Sequence, residues 1–208
     1  MNFLKTVFPI SLVGIMLFFS ACTQEPDLYS KPILTEARLP EPFHFQKSIE
    51  IKPGLTFDIL SWGRGADSVS SILILRSDSA RAEYTSTLAK LEGQIADVWN
   101  MDMDADGSPE IFIQIKKENE PEKFILNVYE FDYNGGSQKL KFPDLTSATK
   151  KKYRGLDSIY IKDGKLRRQF PLFNEDRVDA KSIGKKVVEY GLSRNIFTIS
   201  EPEERATE

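Results

Sequence analysis

Alternation and short apolar runs dominate the pattern of hydrophobic positions after residue 50. Leu55–Trp62 (LTFDILSW) alternates apolar with polar residues, and Ser71–Leu75 (SILIL) suits a strand covered on both faces. Glu83–Leu91 and Gln94–Trp99 are joined through Glu92-Gly93, and Glu110–Ile115 puts Ile111, Ile113 and Ile115 on one face. Phe124–Phe131 and Gln138–Phe142 flank Tyr133-Asn134-Gly135-Gly136, a hairpin loop. Ile159–Ile161 and Lys165–Phe170 flank Asp163-Gly164, the dipeptide a type I′ turn prefers because both central residues need positive φ. Val187–Leu192 and Ile196–Ile199 complete the set. The one predicted helix is Leu145–Tyr153, with Asp144 as its N-cap. These elements predict an all-β domain over residues 47–200. Its architecture is an antiparallel β-sandwich with short hairpins and at most one short helix.

The first residues follow another pattern. Lys5 precedes the uncharged run Val7–Ala21, which is shorter than the ~20 apolar residues of a membrane-spanning helix and fits a secretory signal core. The run ends in Phe19-Ser20-Ala21-Cys22, which resembles a lipobox; Phe19 stands where Leu or Val is usual. The expectation is a signal peptide over 1–21, a lipidated Cys22, and a membrane anchor outside the cytoplasm. Thr23 is not the aspartate associated with inner-membrane retention, which favours the outer membrane, facing the periplasm or the cell surface. Residues 22–46 read as a tether, with four prolines and no apolar period, and 201–208 as a charged tail.

Composition narrows function mainly by exclusion. Removal of residues 1–21 takes one of 28 basic residues and none of 31 acidic ones, moving the net charge from −3 to −4. No basic stripe suggests nucleic acid. His44, in the tether, is the chain's single histidine and Cys22 its single cysteine. A histidine-dependent triad or a histidine-rich zinc site therefore has no place in the domain, no internal disulfide forms, and the expected protein is not an enzyme. The sequence singles out no carboxylate pair in an apolar setting. Of the aromatics, Phe57, Phe112, Tyr129 and Phe170 lie inside strand runs and read as core, while Trp62 and Trp99 end strands beside loops and are the candidate surface contacts.

One loop carries a chemical pattern. Asp102-Met103-Asp104-Ala105-Asp106-Gly107-Ser108-Pro109-Glu110 sets carboxylates at alternate positions before a glycine, an arrangement that wraps a hard cation in oxygen ligands. The position of an EF-hand's twelfth-residue glutamate is occupied by Ile113, and the flanks are strand-like. The pattern is closer to the DxDxDGxxE calcium loops between strands of integrin-type repeats. Asp102, Asp104, Asp106 and Glu110 are the candidate calcium ligands, with the Ser108 carbonyl as a fifth; a metal-free acidic turn is the alternative.

Several stretches between about Ser48 and Tyr190 together resemble the PliI family, the periplasmic inhibitors of invertebrate-type lysozyme, in lipoprotein form. They are SIEIKPGLTFDILSWGRGADS, ILILRSDS, GQIADVWNMDMDADGSPEI, LNVYEF and YRGLDSIYIKDGKLRRQFPLF. The resemblance implies a β-sandwich that blocks the lysozyme's substrate cleft with a protruding loop, needs no cofactor, and has an invertebrate-type lysozyme as its partner. The family's Ser-Gly motif followed by Tyr is absent here. The nearest counterparts are Tyr153, Arg154 and Gly155 with Ser158 and Tyr160, then the loop at Ser182. A calcium-stabilised surface module that binds glycan or protein is the second reading, and a homodimer remains open.

Overall fold

The alternation of side chains sorts the strands between two cores. The computed structural model describes residues 39–64, 70–117, 120–174 and 181–202. The expected signal peptide, Cys22, most of the tether, part of the 63–70 loop and the tail beyond Pro202 lie outside the described residues. Among the described residues twelve strands form three antiparallel sheets, each ordered as in the sequence. The first holds β1 (Phe43–Lys52), β2 (Leu55–Trp62), β3 (Ser70–Asp78) and β4 (Glu83–Leu91). The second holds β5 (Gln94–Met101), β6 (Glu110–Lys117), β7 (Glu120–Phe131) and β8 (Ser137–Leu140). Helix α1 (Ser147–Lys152) precedes the third, made of β9 (Ser158–Lys162), β10 (Lys165–Leu172), β11 (Gly184–Ser193) and β12 (Ile196–Ser200).

The all-β sandwich expected from the sequence is present, built in three layers. Ile111, Ile113 and Ile115 of β6 pack with Phe57, Ile59, Ile72 and Ile74 of the first sheet. Phe112, between them in sequence, points the other way and packs with Leu166, Phe170, Val188 and Tyr190 of the third. β7 divides likewise, Tyr129 and Phe131 toward the first sheet, Leu126 and Val128 toward the third. The middle sheet is therefore apolar on both faces, as strand period two requires when both are covered. Ring pairs span both interfaces: Phe57 meets Phe131 at 4.7 Å and Phe112 meets Phe197 at 6.5 Å between centroids. In β5 the register shifts between Ile95 and Asp97, so that Ile95 and Val98 both reach the first core while Trp99 turns to the second.

Some local details depart from the sequence reading. β1 is a strand the sequence pattern did not predict. It opens at Phe43, inside the stretch read as tether, and pairs along β2 while burying Phe45, Ile49 and Ile51 only in part. The prolines that flank it and the charges within it mask a period that pairing with β2 brings out. The helix cap is Thr146, whose hydroxyl accepts from the Thr149 N–H; Asp144 instead pairs with Lys150 Nζ at 3.0 Å. β8 stops at Leu140 rather than Phe142, whose ring meets Tyr190 at a tilt and Phe197 edge-on. Asp163 and Gly164 both have positive φ, as the predicted turn requires.

Candidate functional site

The loop between β5 and β6 brings its acids together. One carboxylate oxygen from each of Asp102, Asp104, Asp106 and Glu110 lies within 4.8 Å of the other three. Ligands on one calcium ion sit 2.3–2.6 Å from it, so opposite ligands are about 5 Å apart. The spacing fits a single ion. Ala105 (φ 56°) and Gly107 (φ 87°) make the sharp turns that fold the chain back on itself, and a Cβ at Gly107 would meet no neighbour. Glycine there serves the backbone angle alone.

The loop divides three of the four carboxylates between backbone and site. Met103 N–H donates to Glu110 Oε2 at 2.8 Å, Gly107 N–H to Asp102 Oδ2 at 3.1 Å, and Ser108 N–H to Asp106 Oδ1 at 2.7 Å. Each of these acids keeps its second oxygen. Among the described residues Glu110 Oε1 and Asp104 Oδ1 are buried without a hydrogen-bond partner, and Glu110 is wholly buried. Among the described residues none of the four acids pairs with a Lys or Arg. Burial pushes the Glu110 carboxyl up to about 7; the Met103 N–H opposes the rise, while Asp104, Asp102 and Glu130 add to it. A buried, unpaired carboxylate is costly unless a cation meets it. Oxygen-only, strongly acidic ligands suit calcium over softer metals. The residues present therefore fit a bound calcium ion, with the four carboxylates as ligands and the Ser108 carbonyl beside them in the loop.

Glu130 is the residue the sequence reading missed. It faces Glu110 across the β6–β7 ladder, is 9 % exposed, and has Oε2 unpartnered among the described residues. Burial raises its carboxyl too, the Asn195 side chain opposing, with Asp106, Asp104 and Asp132 adding to the rise. So the fold opposes two buried carboxylates, a pair that the sequence does not single out. Only strand pairing brings together residues twenty positions apart in sequence; the signal was Glu130's parity with the core residue Val128.

The residues carried over from the inhibitor resemblance gather at one end of the third sheet. Tyr153 bridges to Leu172, which also pairs with Gly184, two residues beyond Ser182. Tyr153 is committed internally. Its hydroxyl bonds Asp157 and accepts from Arg168 Nη2 at 2.8 Å, and its ring meets Phe170 edge-on at 5.1 Å. Burial, then the bond to Asp157, raises that hydroxyl above the ordinary tyrosine range. Arg154 donates to the carbonyls of Lys151 and Tyr153. Gly155 is buried at φ 102°, where a Cβ would lie 2.3 Å from the Glu122 carbonyl oxygen. Ser158 opens β9 exposed, Tyr160 is half-buried opposite Arg167, and Ser182 Oγ donates to the Gly184 carbonyl at 2.8 Å. Trp99, a candidate surface contact, instead stacks on Phe112 at 5.5 Å within the second core, and Trp62 is half-buried.

No protein-family model matches the chain, and neither a curated protein nor a solved structure matches it.

Proposed function

We propose that this chain is a calcium-stabilised, non-catalytic binding domain, lipid-anchored outside the cytoplasm through Cys22, with a protein or glycan as its partner. The observation that carries the calcium reading is the convergence of four carboxylate oxygens within 4.8 Å around a wholly buried, half-partnered Glu110. The role of the ion is structural: it neutralises acids that the fold leaves without a counter-charge, and so holds the β5–β6 loop against the middle sheet. Extracytoplasmic placement rests on the lipobox-like Cys22, and calcium sites of millimolar affinity are common in extracellular modules.

Calorimetry and thermal melting of the purified protein test this reading. Calcium at a hundred times its dissociation constant stabilises a one-site protein by about 2.7 kcal/mol. For a domain of this size that raises Tm by roughly 5–10 °C relative to EDTA. No binding heat and an unchanged Tm at about 100 mM calcium, a hundredfold above a millimolar dissociation constant, would sink it.

One observation favours lysozyme inhibition as a second reading. The turn at Gly155-Leu156 holds two successive positive φ values, and its Leu156 N–H donates to the Glu122 carbonyl at 2.6 Å while the Leu156 side chain stays 55 % exposed. A rigid, exposed turn loses little entropy on entering an enzyme's groove. The expected result is stoichiometric inhibition of an invertebrate-type lysozyme, weakened by Leu156→Asp. Undiminished enzyme turnover at a large excess of the protein rejects it.

A further inference from the structure

The four acids of the loop do not exhaust the negative charge at this end of the middle sheet. Glu110 and Glu130 are direct partners in the antiparallel register. Opposed residues on one face have Cβ atoms about 4.5–5.5 Å apart, and like charges there destabilise the pair. By strand parity with Phe112 and Val128, both carboxylates lie on the side of the third sheet. Glu130 is 9 % exposed, with Oε2 lacking a partner among the described residues, and it sets a fifth carboxyl group opposite Glu110 in the strand register. Its Oε1 accepts from Nδ2 of Asn195 at 3.0 Å. Asn195 stands at φ 63° in the β11–β12 turn, next to Arg194 at φ 50°, and its amide also reaches Gln138 Oε1 at 3.4 Å. One side chain thus joins the crowded acids to a turn of a different sheet.

From this juxtaposition we infer that Glu130 is a positioning residue for the cation site, and that its bond to Asn195 couples cation occupancy to the β11–β12 turn. The inference rests on the proposal that the 102–110 loop binds calcium. A divalent ion at the four oxygens offsets the repulsion between Glu110 and Glu130. With that repulsion offset, the opposed pair keeps its register and Glu130 Oε1 holds the Asn195 Nδ2 donor at 3.0 Å. Without the ion, the two carboxylates repel and the bond that holds the turn loosens.

Hydrogen–deuterium exchange of the whole protein, in calcium chloride and in EDTA, tests the coupling, with calorimetry on Glu130→Gln and Asn195→Ala. Calcium is expected to slow exchange both in the 102–110 loop and across residues 193–198. Asn195→Ala keeps loop protection and binds calcium within about threefold of the wild type, yet loses protection of the turn. Glu130→Gln weakens calcium about tenfold, in line with other residues that support metal ligands from behind, while its melting temperature in EDTA equals or exceeds the wild type's. A merely structural glutamate would lower that temperature instead, and that result overturns the positioning role, as does unchanged calcium affinity. Protection of the loop with no change in the wild-type turn overturns the coupling and leaves the calcium reading standing. Absence of any calcium binding removes both.

Discussion

Glu110 concentrates the physical problem that the β5–β6 loop sets. Its folded carboxyl titrates near 7 against an ordinary 4.5, because burial and three neighbouring acids disfavour the charge more than the Met103 N–H favours it. In the calcium-free protein the folded state therefore binds its proton more tightly than the unfolded chain does. That contribution to stability is fully present below about pH 4.5 and is lost as pH rises through 7, a loss on the order of 3 kcal/mol. Melting in EDTA should show Tm falling between pH 5 and pH 8, with Glu110→Gln flattening the profile and abolishing calcium binding. A Tm that rises over that interval, in the wild type but not the variant, would contradict the assignment. Tyr153 presents the opposite lesson. Its sequence setting, beside Arg154 and Gly155, suggests a contact residue, yet Asp157, Arg168 and Phe170 consume its hydroxyl and ring. Sequence proximity shows which groups cluster, and only the fold shows which are already spoken for.

At the scale of the element, β6 bears the greatest burden, since its odd positions serve one core and Phe112 the other. Ile113 has no solvent exposure, and Ile113→Ala is expected to cost about 2–5 kcal/mol, the range for truncating a fully buried aliphatic side chain. Leu88, on the outer face of edge strand β4 and 66 % exposed, provides the contrast. Leu88→Ala should change stability by roughly 0.5 kcal/mol or less. Denaturant titration of the two variants checks the layer assignment, and equal costs would refute it. The run EIFIQI already looked like a strand, with Ile111, Ile113 and Ile115 sharing a face. That Phe112 faces a second core of equal weight depends on the third sheet, whose residues begin more than forty positions later.

For the whole molecule, the shared middle sheet implies cooperativity. Neither outer sheet has a core without it, since both apolar clusters draw on β6 and β7. Charged contacts tie the layers further: Lys47 of β1 donates to Asp97 Oδ1 at 2.8 Å and to the Val98 carbonyl of β5. Buried Arg76 of β3, paired with Asp78 at 3.0 Å, lies beside Gly135 in the β7–β8 loop. Thermal unfolding followed by far-ultraviolet circular dichroism and by tryptophan fluorescence should therefore coincide in one transition. Trp62 reports the first sheet and Trp99 the second core. Two separated transitions would mean that the sheets unfold independently.

Strand period, turn chemistry and acid spacing were legible in the chain alone. The all-β class, the Asp163-Gly164 turn and the 102–110 loop follow from local rules: side chains alternate along a strand, positive φ selects Gly and Asn or Asp, and short-range spacing brings carboxylates to one loop. The tertiary structure decided everything that needs two distant segments to meet. It added β1 by giving it β2 to pair with, stacked a third sheet on the back of the second, tied the half-buried Tyr153 to Asp157 and Arg168, and set Glu130 against Glu110 within reach of Asn195. Burial and strand register are properties of the assembled layers, so no local pattern of residues encodes them by itself.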